Sequence, residues 1–348
     1  MLVEGAFPVK IAMVSLDASP VNAVVGSRGG HVAALAGALS RHQHEVTVYT
    51  GNSDLAAPEH TTMNGFAVTH LPPTAAAFAD KLVAQWQRER PDVVHAQSWA
   101  SGVVSAMSAR HVQVPLVQTV DEPDGKTVQS RSVERALCRA ASRIVVTSER
   151  RAAALIRAGA RRAQVYVVPP GVDTELFQPD SSGRSRSLPH RVVWLGEPLS
   201  FNNIDVSSMV PNTKFATIGG TARLLSEQDR AALLRSADIA VCAGSSAEQE
   251  ALTLQAMSCG VPVIALIPDG PSDMVVHGIT GLHVPQGSVA ELFRTLRALV
   301  ADSTKQDLLG TSARDRACVR YSWGRVASDL VQAYDQAIGS RRNDAALH

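Results

Sequence analysis

Leu233–Pro285 reads LLRSADIAVCAGSSAEQEALTLQAMSCGVPVIALIPDGPSDMVVHGITGLHVP. Two short apolar strands, Ile239–Cys242 and Pro262–Leu266, flank a helix-like run that ends at Gly260. Strand, helix and strand at this spacing make a βαβ unit, whose two strands run parallel. The loop after the first strand and the start of the helix then stand at the mouth of a parallel sheet. Ligands bind at such mouths.

The same alternation runs outward along the chain. Strands are expected at Lys10–Leu16, Glu45–Tyr49, Phe66–His70, Asp92–Ala96, Pro115–Val120, Arg143–Thr147 and Val165–Val168. Helices are expected between them at Gly29–His42, Ala75–Arg90, Ser98–Arg110, Ser132–Ala141 and Glu149–Ala158. This is an α/β chain with doubly wound parallel sheets. Pro169-Pro170-Gly171 breaks the pattern, and Pro179–Pro189 (PDSSGRSRSLP) is polar enough for a linker. Alternation restarts at Arg191–Leu195 and Lys214–Ile218 and ends in helices over Ser288–Ala301 and Trp323–Ile338. The expected division is a first domain over residues 1–178, a linker over 179–190, a second domain over 191–320 and a last helix over 321–340.

Composition narrows the function classes. A chain of 348 residues suits two domains. A net charge of +1 gives no field to gather nucleic acid or an anionic membrane. Arg outnumbers Lys heavily, which with the Ala and Val content suggests a GC-rich bacterial genome. Cys138, Cys242, Cys259 and Cys318 are scattered and read as small apolar residues, not as a disulfide or metal framework. No apolar run has the roughly 18 residues of a membrane span. Met1–Lys10 lacks the features of a signal peptide, so the cytoplasm is the expected compartment.

The loop after Lys10–Leu16 carries Gly26, Gly29 and Gly30 before a helix. Glycines there let backbone N–H groups approach a phosphate, or simply make a turn. The G-x-G-x-x-G dinucleotide spacing is absent. His95 ends a strand and reads as either a satisfied polar residue or a catalytic one. Trp99 reads as core or as a ring stacked on a sugar.

SRGGHVAALAGALSRHQHEVTVYT, DVVHAQSWASG, RAASRIVVTSERRAAALIRAGARRAQVYVVPPGVDTELFQP and Gly260–Pro285 together resemble family 4 of the retaining glycosyltransferases. The mycothiol-type and sucrose-synthase-like branches are the nearest in pattern. The resemblance implies the GT-B fold, in which two Rossmann-like domains face a cleft. It implies that Gly29 and Gly30 face a donor diphosphate. It places His95, Trp99 and the loop holding Asp121 and Glu122 toward the acceptor, with Arg131 matching an arginine that some relatives set against an anionic acceptor. Relatives carry His where Asp121 stands.

A departing diphosphate develops negative charge that positive or N–H donor groups must stabilise. In relatives an Arg and a Lys do so. Here Glu197 and Asn202 align with them. In the family's E-x7-E pair, Ala247 takes the first position and Gln255 the second. Glu248 and Glu250 stand close enough to replace the first, or else decorate a helix start. Gln255 keeps an amide for a ribose. Ser245, Ser246, Gly270 and Asp273 complete the implied donor loops. Ile218-Gly219-Gly220 leads almost directly to the next helix, so the second domain is expected to be shorter by about one βα unit.

The expected function is transfer of a sugar from a nucleoside diphosphate sugar to a small hydroxylated acceptor, with retention. No metal or other cofactor is expected beyond the nucleotide-sugar co-substrate. The alternative is a GT-B protein that has lost its donor chemistry and acts as a binding partner. The expected partners are therefore small molecules, without nucleic acid or a membrane span. Oligomeric state stays open.

Overall fold

The computed structural model describes residues 8–23, 27–51, 58–120, 128–180, 188–196, 209–220, 225–244, 246–267 and 273–346. The chain divides into two compact units, Met1–Pro169 with Val326–His348, and Pro170–Arg325.

The first unit holds β1 (Lys10–Ser15), α1 (Arg28–Arg41), β2 (Glu45–Gly51), β3 (His60–Met63), β4 (Phe66–Leu71), α2 (Ala75–Arg88) and β5 (Val93–Ala96). It continues with α3 (Trp99–His111), β6 (Leu116–Thr119), α4 (Val128–Ala140), β7 (Arg143–Val146), α5 (Glu149–Arg157) and β8 (Val165–Val167). The strand order is β3-β4-β2-β1-β5-β6-β7-β8, parallel except for β3 against β4. The chain leaves β1 toward β2 and later returns to β5 on the other side. The switch point therefore lies between β1 and β5. Val93–Ala96 is buried at every position, as a central strand covered on both faces must be. Phe78, Leu82 and Trp86 of α2 and Val104 of α3 pack on Ala12, Val14, Val94 and Leu116.

The second unit holds β9 (His190–Leu195), β10 (Thr213–Ile218), α6 (Glu227–Arg235), β11 (Ile239–Ala243), α7 (Ala247–Ser258), β12 (Val263–Ile267), β13 (Gly281–Pro285), α8 (Val289–Val300) and α9 (Ser303–Tyr321). Its sheet is β10-β9-β11-β12-β13, wholly parallel, with the switch point between β9 and β11. Cys242 and Cys259 lie in its core. Arg314 staples the unit together. Its guanidinium donates to the carbonyls of Phe177 and Ser258 at 2.8 and 2.7 Å and to that of Thr174 at 3.0 Å.

α10 (Trp323–Ala346) begins in the second unit and continues into the first. Trp323 packs on Gly171, where a Cβ would come within 2.4 Å of the indole. Further along, Val326, Leu330, Ala333, Tyr334 and Ala337 are buried at helical spacing. Burying Val326 and Leu330 alone is worth about 4 kcal/mol.

Three elements go beyond the sequence expectation. β3 pairs with β4 through Asn64 and Gly65, both at positive φ (49° and 85°), the geometry of a two-residue hairpin turn. β13 opens at Gly281, where a Cβ would meet the Val263 carbonyl at 2.2 Å. α9 buries a stripe of Leu309, Gly310, Ala313, Ala317 and Tyr321. Gly310 crosses so near α7's end that a Cβ would lie 2.0 Å from the Gly260 carbonyl oxygen. Small residues permit that approach, and they also hide the helix from an apolar pattern search.

Candidate active site

At the first unit's switch point, Ser27 caps α1 and accepts from the Gly30 N–H at 3.1 Å. Gly29 is buried against the Ser19 carbonyl, which a Cβ would approach to 2.2 Å. Arg28 pairs with Asp17 at 2.6 Å, and the other oxygen of Asp17 accepts from the Ser98 hydroxyl at 2.8 Å. Ser98 in turn caps α3. Asp17 thus ties the glycine turn to the start of α3 across the end of β1.

His95 sits beneath this rim, only 1 % exposed. Its Nδ1 accepts from the Tyr334 hydroxyl at 2.7 Å and from the Gln97 amide at 3.0 Å. Its Nε2–H donates to the Thr119 hydroxyl at 2.8 Å. Both ring nitrogens are therefore occupied, and the ring is neutral. Burial, with a contribution from His31, pushes its pKa down to about 3. Burial likewise takes His31 down to about 4. The phenol of Tyr334 is pushed well above its ordinary value by burial and stays a donor.

Trp99 is half-buried and packs against the cluster of Val120, Ala141, Ile144 and Val146. Its indole N–H is buried without a partner among the described residues, as is the Oε1 of Gln118 on the neighbouring strand. Asp121 and Glu122 lie outside the described residues. Arg131 falls in the first turn of α4.

In the second unit, three neighbouring strands end in glycines at positive φ: Gly196 after β9 (89°), Gly219 and Gly220 after the edge strand β10 (86° and 61°), and Gly244 after β11 (132°). The first turn of α7 rests on these ends. Gln249 completes a capping box with Ser246, its Oε1 accepting from the Ser246 N–H at 3.1 Å. Its amide nitrogen donates to the Ala243 carbonyl at 2.7 Å. A Cβ on Gly196 or Gly244 would strike this side chain at 2.7 or 2.2 Å. Glu248 is exposed and accepts from the Gly220 N–H at 3.3 Å. Glu250 is half-buried one turn from the cap. Gln249→Ala removes half the capping box and orphans the Ala243 carbonyl. It is expected to cost about 1–2 kcal/mol, read as a lower denaturation midpoint.

Gln255 lies two turns beyond the cap, 5 % exposed, with an Oε1 that has no partner among the described residues. The carbonyl of Asp273 is held by Arg316 at 3.0 Å and by the Tyr321 hydroxyl at 3.3 Å. These two bonds anchor the Asp273 backbone to α9. Ser245, Gly270, Glu197 and Asn202 lie outside the described residues. Among the described residues no three His, Cys, Asp or Glu side chains gather as a metal would require.

The structure brings in residues that the sequence reading passed over. Asp17, Arg28 and His31 join Gly29, Gly30 and His95 in one mouth. Gln249 occupies the other mouth, between the positions of Ala247 and Gln255. The Ser246-x-x-Gln249 spacing was a readable capping-box signal. The Asp17 contact joins residues 81 apart in the chain and had no local signal.

Comparison with known proteins gives this geometry its context. Residues 29–176 match the model for Glycosyltransferase Family 4, and residues 221–316 match Glycosyl transferases group 1. The chain is 26% identical to a D-inositol 3-phosphate glycosyltransferase of Streptomyces bingchenggensis, covering 99% of this chain and 93% of that protein. It is also 26% identical to D-inositol 3-phosphate glycosyltransferase 1 of Catenulispora acidiphila, covering 97% and 98%. The first alignment runs over 423 positions against 348 residues here, so it holds gaps in this chain. Among solved structures, sucrose-phosphate synthase from Thermosynechococcus elongatus superposes with a TM-score of 0.75 at 21% identity, covering 95% of this chain and 99% of that one. Anabaena HepE in complex with UDP and glucose superposes at 0.70 and 18% identity, covering 94% and 99%. Two parallel-sheet units of the GT-B fold, one carrying a Family 4 domain and the other a group 1 domain, make this chain a glycosyltransferase.

Proposed function

We propose that the protein transfers a glycosyl group from a nucleoside diphosphate sugar to a small hydroxylated acceptor, with retention at the anomeric carbon and without a metal. The observation that carries this reading is the pair of switch points, each fronted by a capped helix start: α1 at Ser27–Gly30 and α7 at Ser246–Gln249. Helix starts of this kind offer N–H groups and a positive dipole end to a phosphate. A diphosphate leaving group needs that stabilisation as the anomeric C–O bond breaks.

In this reading the turn at Gly29 and Gly30 faces the diphosphate, and the Gly30 N–H trades its bond to Ser27 for one to phosphate. Gln255 offers its orphaned Oε1 to a ribose hydroxyl. Glu248 or Glu250 stands near the sugar, Ser246 and Asp273 frame the donor, and Ser245 and Gly270 belong to the same loops. With Glu197 and Asn202 at the family's cation positions, the helix starts carry a larger share of the charge stabilisation. His95, locked as a neutral ring, shapes the acceptor side through Thr119 and Gln97. Trp99, with Asp121, Glu122 and Arg131, contributes to acceptor recognition. The Anabaena structure holds UDP and glucose, which makes UDP the first nucleotide to try. The named activity of the relatives favours a phosphorylated polyol as the first acceptor to try.

Thermal unfolding with UDP, GDP, ADP and dTDP tests the donor site. One nucleotide at about 100 times its Kd should add about 2.7 kcal/mol of stability. Gln255→Ala should weaken that nucleotide about three- to tenfold through one lost hydrogen bond. Absence of any shift at millimolar nucleotide would reject the donor site assigned here. Product analysis by NMR then decides retention.

A further inference from the structure

A cavity of about 800 Å³ opens between α4 and α5, wholly within the first unit and away from the β1–β5 switch point. Arg135 and Arg139 reach it from α4, Arg151 from α5 and Arg161 from the turn beyond α5. Its apolar wall includes Ala154 and Leu155. The four arginines belong to a stretch, Arg131–Arg162, that holds nine arginines and two glutamates in a chain whose net charge is only +1. Four of the chain's 33 basic residues thus meet at one cavity, against a single lining carboxylate, Glu134.

The charges are not internally neutralised. Arg151 pairs with Glu134 at 2.8 Å, with both side chains only 14% exposed. Arg161 donates its Nε to Gln164 at 3.0 Å, and Gln164 is anchored to the Ala141 carbonyl at 3.0 Å. Arg135 and Arg139 are exposed and make no hydrogen bond or ion pair among the described residues. Three guanidinium groups therefore lack a carboxylate partner beside a lined, partly apolar cavity. Cys138 does not supply an anion. Burial pushes its thiol up to about 11, so it stays neutral and adds to the apolar wall.

We propose that this cavity binds a phosphate monoester that carries an apolar tail. A planar guanidinium matches phosphate oxygens with paired N–H donors. A surplus of three positive charges suits a dianionic head better than a single carboxylate. The cavity's size is that of a small-molecule site, far beyond what inorganic phosphate would fill. Its wall of Ala154, Leu155 and Cys138 accepts hydrocarbon, and each buried methylene tightens binding about fourfold. The site uses none of the residues assigned to sugar transfer, so it stands or falls independently of that reading.

Calorimetric titration with octyl phosphate, kept below its micelle concentration, reads the site directly. The expected result is saturable binding at one per chain, at least about tenfold tighter than inorganic phosphate. Arg135→Gln with Arg139→Gln should weaken it by about tenfold or more. Both side chains are exposed, and an unchanged melting temperature will show that the variant is folded. Ala154→Trp, which fills the cavity and leaves the arginines in place, should weaken octyl phosphate but not inorganic phosphate. Sedimentation with phosphatidic acid vesicles identifies the source. Vesicle binding lost in the double arginine variant points to a lipid headgroup, and binding of the dispersed ester alone points to a soluble metabolite. Binding to vesicles with none to dispersed octyl phosphate, or affinities equal in wild type and both variants, would overturn the proposal.

Discussion

Gly29→Ala is expected to lower sugar transfer about a hundredfold while leaving most of the fold intact. The added Cβ would stand 2.2 Å from the Ser19 carbonyl oxygen and 3.0 Å from the Ala23 side chain. A carbonyl oxygen in the backbone cannot rotate away, so the start of α1 must move by about 1 Å. Misplacement on that scale is enough to cost about two orders of magnitude in a positioned reaction. The accompanying loss of stability should be about 1–3 kcal/mol, as for other overpacked sites. The same helix supplies its own control. At Gly37 the nearest atoms to a new Cβ are 3.6 Å away, an ordinary contact. Gly37→Ala should therefore stabilise α1 by up to about 1 kcal/mol and leave transfer unchanged. Initial rates and melting temperatures of the two variants separate the effects. A Gly29→Ala protein that is folded and within threefold of wild-type rate would remove Gly29 from the donor site.

Acid should unfold the first unit through His95. In the unfolded chain an imidazole titrates near 6.5, whereas folded His95 takes a proton only near 3. Between those values the unfolded chain binds a proton that the folded chain does not. Stability is therefore complete above about pH 6.5 and falls as the pH drops toward 3. At pH 5 the loss from His95 alone is about 2 kcal/mol. His31 acts in the same direction, with its ring held down to about 4. Part of its surface meets solvent, so its share is smaller. Protonation would also place a hydrogen on Nδ1, where Tyr334 and Gln97 now both donate. Denaturant titrations at pH 7 and pH 5 on wild type and His95→Gln measure the effect. The variant should lose markedly less stability on acidification, and parallel losses would show that His95 is not the group responsible.

The architecture was legible wherever apolar strands alternate with helices at ordinary spacing. Val93–Ala96 and Ile239–Ala243 are short, mostly apolar runs between helical segments, the pattern of strands covered on both faces. α9 was not legible, because Gly310, Ala313 and Ala317 pack by being small, and a search for large apolar side chains passes over them. β3 was signalled by Asn64-Gly65 but carries only a histidine, two threonines and one methionine to pair with β4. At the sites, the glycines could be read because positive φ and close approach leave a mark on composition. The roles of Asp17 and Tyr334 could not. Tyr334 meets His95 from 239 positions away, and no local pattern encodes such a contact.

That last contact has a consequence for the order in which the protein is built. The first unit is discontinuous: its sheet is complete by Val167, but Val326, Leu330 and Tyr334 arrive on α10. A ribosome releases all of Pro170–Arg325 before it releases that helix. The second unit, encoded later, can therefore close its core while the first still exposes the apolar face that α10 will cover. A chain halted at Arg325 would hold one finished unit and one waiting for its last helix, with His95 still lacking its phenol.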